Sequence, residues 1–191
     1  MKTTKDFTFF WGNIDPFSNW HRPASFQFKE IGFAQSEQFF MFCKAMHFGD
    51  RQMAYKILFT KDPRKNKDQG KLVSGFDKKE WEDVSYHYMY VACREKFLQN
   101  QKLLDALMYT GDTEIVEASP YDLVWGIGWH QNDAEALDRK LWRGKNLLGE
   151  ILTVLREEIK MVGVEGMDRT IDTWWTDTPG ILVAELLKEM S

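Results

Sequence analysis

The strongest constraint on this chain is a change of hydrophobic period at Ser36. From Phe7 to Phe33, aromatics, Gly and Pro alternate with turn pairs such as Ser18-Asn19 and Arg22-Pro23, and Ser25-Phe26-Gln27-Phe28-Lys29 has a period of two. Such a stretch makes turns and one or two short strands. From Ser36 to Met46 the apolar residues Phe39, Phe40, Cys43 and Met46 recur at helical spacing, with Ser36 as a possible N-cap and Glu37 in the first turn. Helical patterns return at Arg51 to Leu58, Trp81 to Asn100, Leu103 to Tyr109 and Leu147 to Ile159. Thr113 to Glu117 is β-branched, and Arg64 to Lys71 is a basic polar stretch. The expected class is mainly α, or α+β with a small β element near the N-terminus.

The length of 191 residues suits one main domain and a surplus. We place the domain at 1–160 and read 161–191 as a C-terminal extension, an appended hairpin or terminal helix packed on the domain. No apolar run approaches the roughly 18 residues of a spanning helix, and no signal-peptide h-region follows the first lysines. Cys43 and Cys93 lie in apolar stretches without metal or disulfide spacing, as expected of core residues in a reducing, cytoplasmic compartment. The net charge of −4 provides no global basic field for a phosphate backbone. Arg64, Lys65, Lys67 and Lys71 form a local basic stretch that either touches phosphate or is a solvated loop.

Several catalytic signatures are absent: no G-x-x-x-x-G-K-[ST] loop, no H-E-x-x-H, no G-x-S-x-G, and no metal spacing among the four histidines. Glu37 and Lys44 are seven residues apart, about two helical turns, so both project from nearly one face. Apolar neighbours would desolvate the amine and favour its neutral, nucleophilic form; the plain alternative is a solvated face. Between Ser119 and Gly128, Asp122, Trp125 and two glycines fall in irregular backbone, where an indole can stack a heterocycle and glycine permits close approach. Trp142-Arg143-Gly144-Lys145-Asn146 leads into a helix whose free N–H groups could hold a phosphate or sugar.

Taken in order, the segments resemble the NADAR superfamily, best known for its YbiA-like N-glycosidases. The stretches are Phe17-Ser18-Asn19-Trp20, Ala34 to Met41 with Lys44, Lys71 to Asp77, Lys96 to Asn100, Thr110-Gly111-Asp112, Val116 to Pro120 with Asp122 and Trp125 to Gly128, and Gly144 to Gly149. The resemblance implies a mainly helical fold; no cofactor is expected, and the lack of metal spacing among the histidines argues against metal catalysis. It also implies cleavage of an N-glycosidic bond between ribose and an exocyclic amine. The substrates implied are early riboflavin-pathway ribosylaminopyrimidine phosphates or ADP-ribosylated guanine in nucleic acid. On this resemblance Glu37, Lys44 and Asp122 are the candidate catalytic residues. Asn19, Trp20, Trp125, Gly126, Gly128, Trp129 and Asn146 are the candidate substrate contacts, and Trp142 a further wall. Lys44 would form a Schiff base with the ring-opened sugar; the rival is a carboxylate-stabilised oxocarbenium centre. The alternative function is an ADP-ribose or nucleotide-binding module without catalysis. The charged stretch Trp129 to Trp142 and the tail after Ile159 depart from the minimal pattern.

Overall fold

A computed structural model describes the backbone of residues 1–171 and the side chains through Met167. The first β element pairs β1 (Lys2–Thr3) antiparallel with β2 (Phe7–Phe10). A later strand, β5 (Glu114–Glu117), joins β2 in parallel, with Phe10 opposite Glu117. A separate hairpin is formed by β3 (Phe26–Phe28) and β4 (Ile31–Phe33). Their alternation buries Phe26, Phe28, Ile31 and Phe33 and leaves Gln27 and Gly32 outside, as a half-buried strand requires.

Six helices build the rest: α1 (Ser36–His47), α2 (Arg51–Leu58), α3 (Pro63–Gly70), α4 (Lys78–Leu98), α5 (Gln101–Tyr109) and α6 (Leu147–Ile171). The protein is therefore mainly α with small β elements. Nearly all of α1 is buried, and Phe39 packs against Phe26, Phe28 and Phe33 of the hairpin at 5.0 to 5.8 Å between ring centres. The expected N-cap shifts by one residue, since Ser36 is the first helical residue and Gln35 the cap. Two changes from the sequence pattern matter more. The basic stretch is a helix, because Asp62 accepts the Lys65 N–H, Pro63 opens the first turn and Asn66 is buried.

The last helix also runs beyond Ile159. Gly163, with φ 71° and ψ 165°, breaks α6, and the chain resumes helix so that Met167 enters the core and its carbonyl accepts Arg94 Nη2 at 2.7 Å. The segment around Trp174-Trp175 and Ile181 to Met190 lies outside the described residues. Cys43 and Cys93 are buried free thiols. Among the described residues no helix is long and apolar enough to cross a membrane.

Between β5 and α6 the chain is irregular with two short 3-10 turns. It is held by a second cluster of Phe9, Val116, Ala118, Ile127 and Ala136, flanked by Phe7, Trp129 and Trp142.

Candidate functional site

The site forms where α1, α3 and the loops on either side of the β2–β5 pair meet. Glu37 sits in the first turn of α1, 6 % exposed. Its backbone N–H donates to the Asn19 carbonyl at 3.2 Å, which ties the helix start to the loop carrying Asn19 and Trp20. Burial pushes the Glu37 carboxyl up to about 7; the Lys67 charge and a hydrogen bond from the Trp20 side chain oppose the rise, and the Asp122 charge adds to it. Glu117, at the end of β5, is pushed up to about 8, first by burial and then by Asp122, with Glu37 also contributing. Three acids from three elements thus bear on one another, and two of them hold protons near neutrality. Such a cluster is suited to general acid–base chemistry.

Lys67 is the cation bearing on both buried acids. It is exposed on α3, with its ammonium 5.8 Å from the Trp20 ring centre. Lys44 lies farther along α1, a rise of about 10 Å from Glu37. Its ammonium donates to the Gly70 carbonyl at 2.8 Å and lies 3.8 Å from the Phe76 ring centre; burial lowers its pKa. Helix α3 therefore crosses the α1 face with Lys67 at the Glu37 end and Gly70 at the Lys44 end. The contact there is tight: a Cβ on Gly70 would fall 1.9 Å from Met41 Sδ.

Asn19 donates through Nδ2 to Met89 Sδ at 3.2 Å, and its Oδ1 is buried without a hydrogen-bond partner. This loop is fixed from below by Lys96, 1 % exposed, whose ammonium donates to the carbonyls of Pro16 (2.6 Å) and Ser18 (2.9 Å). Trp125 is half-buried and edge-on to Phe40, 5.3 Å between centres, one turn from Glu37 on α1. One carboxylate oxygen of Asp122 accepts the N–H groups of Val124 (2.9 Å) and Trp125 (2.8 Å), so Asp122 shapes the loop while its charge reaches the site.

The remaining residues expected at the site have structural partners. Asn146 is 1 % exposed; its Oδ1 accepts the Glu117 N–H at 2.9 Å and its Nδ2 donates to the Ile115 carbonyl at 3.0 Å. It positions β5, and with it Glu117, against the start of α6. A Cβ on Gly126 would lie 2.9 Å from the Glu117 carbonyl oxygen, so that glycine permits backbone to approach backbone. Gly128, at φ 75°, packs against Leu123 and Arg143. Trp129 donates to the Leu141 carbonyl at 2.8 Å beneath the Arg143 guanidinium, and Trp142 donates to the Ala136 carbonyl at 3.0 Å. Both indoles fasten the 129–142 segment over the second cluster.

Three residues escaped the sequence reading. Glu117 was hidden in a β-branched run, and Lys67 in a stretch that looked solvated; the Asp62-Pro63 start was the signal for α3. Lys96 looked like an ordinary member of the α4 pattern. Among the described residues no group of three or more His, Cys, Asp or Glu side chains is placed to hold a metal.

Residues 9–160 match the NADAR domain model. The chain belongs to the NADAR family. It is 38 % identical over 172 residues to protein irg-1 of Caenorhabditis elegans, covering 82 % of this chain and 81 % of that protein. It is 36 % identical over 171 residues to a protein named as an N-glycosidase in Acanthamoeba polyphaga mimivirus, covering 83 % and 98 % of the two chains. The NMR structure of the Escherichia coli protein YbiA is similar, with a TM-score of 0.67, 26 % identity and coverage of 84 % and 88 %.

Proposed function

We propose that this NADAR protein is an N-glycosidase that hydrolyses the bond between ribose and an exocyclic amine of a pyrimidinone-type ring, as in a ribosylaminopyrimidine phosphate or an ADP-ribosylated guanine. The observation that carries the reading is Glu37: an acid protonated near neutrality, hydrogen-bonded by an indole and accompanied by an amine. The names of its N-glycosidase relatives support the same class.

The chemistry follows from this arrangement. Glu37 gives its proton to the ribose ring oxygen as the C1–O bond breaks, the electron pair of the exocyclic nitrogen forming a C1=N imine. A neutral amine adds to C1, and the heterocyclic amine leaves with a proton, transferring the sugar to lysine as a Schiff base. Water then adds to C1, releases the sugar aldehyde and restores the amine; the proton returns to Glu37. The net change is addition of one water across the glycosidic C–N bond.

Lys67 is the amine whose charge bears on both Glu37 and Glu117. The resemblance pointed instead to Lys44, and its lowered pKa favours the neutral amine, but its nitrogen is engaged by Gly70 at the other end of the helix contact. We therefore assign Lys67 the covalent role and Lys44 the role of holding α3 against α1. Glu117 shares the proton load, and Asn19 and Trp125 contact the substrate.

The test is sugar release, followed by chromatography, from a ribosylaminopyrimidine phosphate and from ADP-ribosylated guanine DNA. Wild type is expected to release sugar from at least one, and folded Glu37→Gln from neither. ADP-ribose binding by wild type without sugar release from either would overturn the enzyme in favour of a binding module.

A further inference from the structure

Among the candidate substrate contacts, Asn19 alone carries a buried side-chain atom without a hydrogen-bond partner, its Oδ1. The rest of the residue is held. Its carbonyl accepts the Glu37 N–H at 3.2 Å, and its Nδ2 donates to Met89 Sδ at 3.2 Å. Met89 is 1 % exposed on α4 and shares a helix face with Ala92, whose carbonyl accepts Ser36 Oγ at 3.4 Å. The thioether therefore lies under the first turn of α1, where Glu37 is placed.

That thioether decides which way the amide faces. A sulfur of this kind accepts and does not donate, so it pairs with the NH2 end, and turning the amide would set two acceptors against each other. Oδ1 is thus fixed as an acceptor beside the acid. A buried acceptor left unmet costs about 1–3 kcal/mol, which an arriving donor recovers.

A ribosylated exocyclic amine offers two kinds of donor, the sugar hydroxyls and the exocyclic N–H. A hydroxyl donates and accepts, so either end of an amide satisfies it and no lock is needed. The N–H only donates, because its lone pair is delocalised into the heterocycle, and its nitrogen is two bonds from the ring oxygen that Glu37 protonates. A locked acceptor suits the obligate donor.

We infer that Asn19 Oδ1 accepts the exocyclic N–H as the sugar ring opens, and that Met89 is the positioning residue that keeps the Asn19 amide turned for it. The inference rests on the N-glycosidase reading and deepens it. As the C1–O bond breaks, the Glu37 proton goes to the ring oxygen and the nitrogen pair forms C1=N. The nitrogen keeps its hydrogen, so the step leaves a carboxylate on Glu37 and a positive charge on C1=N–H. An amide oxygen on that hydrogen binds more tightly as the charge develops, which lowers the barrier rather than only holding the substrate. It also selects the substrate class: the glycosidic nitrogen of an ordinary nucleoside carries no hydrogen and leaves Oδ1 unmet.

Kinetics on a ribosylaminopyrimidine phosphate test this in wild type, Asn19→Ala, Met89→Leu, Asn19→Asp and the Asn19→Asp, Met89→Leu double variant, each checked for folding by circular dichroism. Asn19→Ala is expected to lower kcat about tenfold or more, the scale of a hydrogen bond to a charged group. Leucine keeps the volume of Met89 but leaves the amide nitrogen against an apolar chain, so the amide turns its NH2 toward the cation; kcat is expected to fall about fivefold or more. Either oxygen of a carboxyl accepts, so adding Met89→Leu to Asn19→Asp is expected to change kcat less than twofold. An equal loss in both backgrounds makes Met89 a packing residue and overturns the inference, as does a wild-type kcat in folded Asn19→Ala or Met89→Leu. Calorimetry in the Glu37→Gln background reads the contact without turnover. There Asn19→Ala is expected to weaken the ribosylaminopyrimidine phosphate about fivefold, and 1,4-anhydroribitol 5-phosphate, which bears no nitrogen on C1, far less; equal effects overturn the contact. Nitrogen-dependent binding without sugar release by wild type defeats the enzyme reading alone, and sugar release insensitive to both residues defeats this inference alone.

Discussion

Replacing Glu37 by glutamine should make the protein more stable, and increasingly so as pH rises. The native Glu37 carboxyl ionises at about 7, against 4.5 for the group in the unfolded chain. Its folded pKa is raised, so the folded state retains a proton that the unfolded state gives up between these values. The associated stability is intact below pH 4.5 and lost as pH climbs through 7. At about 1.4 kcal/mol per pH unit, the full loss is roughly 3 kcal/mol once pH exceeds 8, and only about 1 kcal/mol at pH 5. Glutamine keeps the shape and an acceptor for the Trp20 indole but carries no proton to lose. The stability of Glu37→Gln relative to wild type should therefore widen by roughly 2 kcal/mol between pH 5 and pH 8.5, a midpoint shift of roughly 4–8 °C for a chain of this size. Urea denaturation of both proteins at the two pH values measures it. A gap that does not change with pH would refute the claim that a desolvated carboxyl is stored at this position.

Three other outcomes follow. The proposed glycosidase needs its acid protonated, so kcat should fall as pH rises through the range of about 7 to 8 in which Glu37 and Glu117 titrate; a pH–rate profile flat to pH 9 would remove them from the proton path. Asn146→Ala deletes two buried hydrogen bonds and leaves an alanine at φ 57°, which should cost about 2–4 kcal/mol by denaturation; less than 1 kcal/mol would mean that Asn146 does not clamp β5. Lys96→Met leaves the Pro16 carbonyl unpaired, leaves the Ser18 carbonyl with the His21 N–H alone, and releases the loop that presents Asn19 and Trp20. At a temperature where the variant remains folded, it should lower kcat/KM about tenfold or more, and unchanged kinetics would show that the loop is held without it.

The fold was legible wherever one face of an element meets the core. The period change at Ser36, the Phe26–Phe28 alternation and the strand at Glu114–Glu117 follow from side chains that alternate or repeat against a single buried layer. Helix α3 was not legible in this way: seven of its eight residues are Pro, Gly, amide or cationic types, with Asp68 the other, and what fixes it is the Asp62 cap and buried Asn66. At the site, Glu37 stood out through its place on an apolar helix. Its partners Lys67 and Glu117 are 30 and 80 residues away, brought near by the crossing of α3 over α1 and by the parallel β2–β5 pair. The Glu37–Lys44 spacing is a rise of about 10 Å along α1, and sequence alone does not reveal that the Lys44 ammonium meets the Gly70 carbonyl of α3. The tryptophans show a further limit, since sequence does not reveal which carbonyl an indole fastens to, as Trp129 does to Leu141 and Trp142 to Ala136.

The central claim is that an amine beside the buried acid takes the sugar. Incubating the protein with a ribosylated exocyclic amine in the presence of borohydride, then mapping the reduced adduct by peptide mass spectrometry, tests it most directly. The account predicts a glycosyl adduct on Lys67 that disappears in Lys67→Arg and does not form in Glu37→Gln. Sugar release without any adduct, or an adduct that remains on Lys44 when Lys67 is replaced, would contradict it.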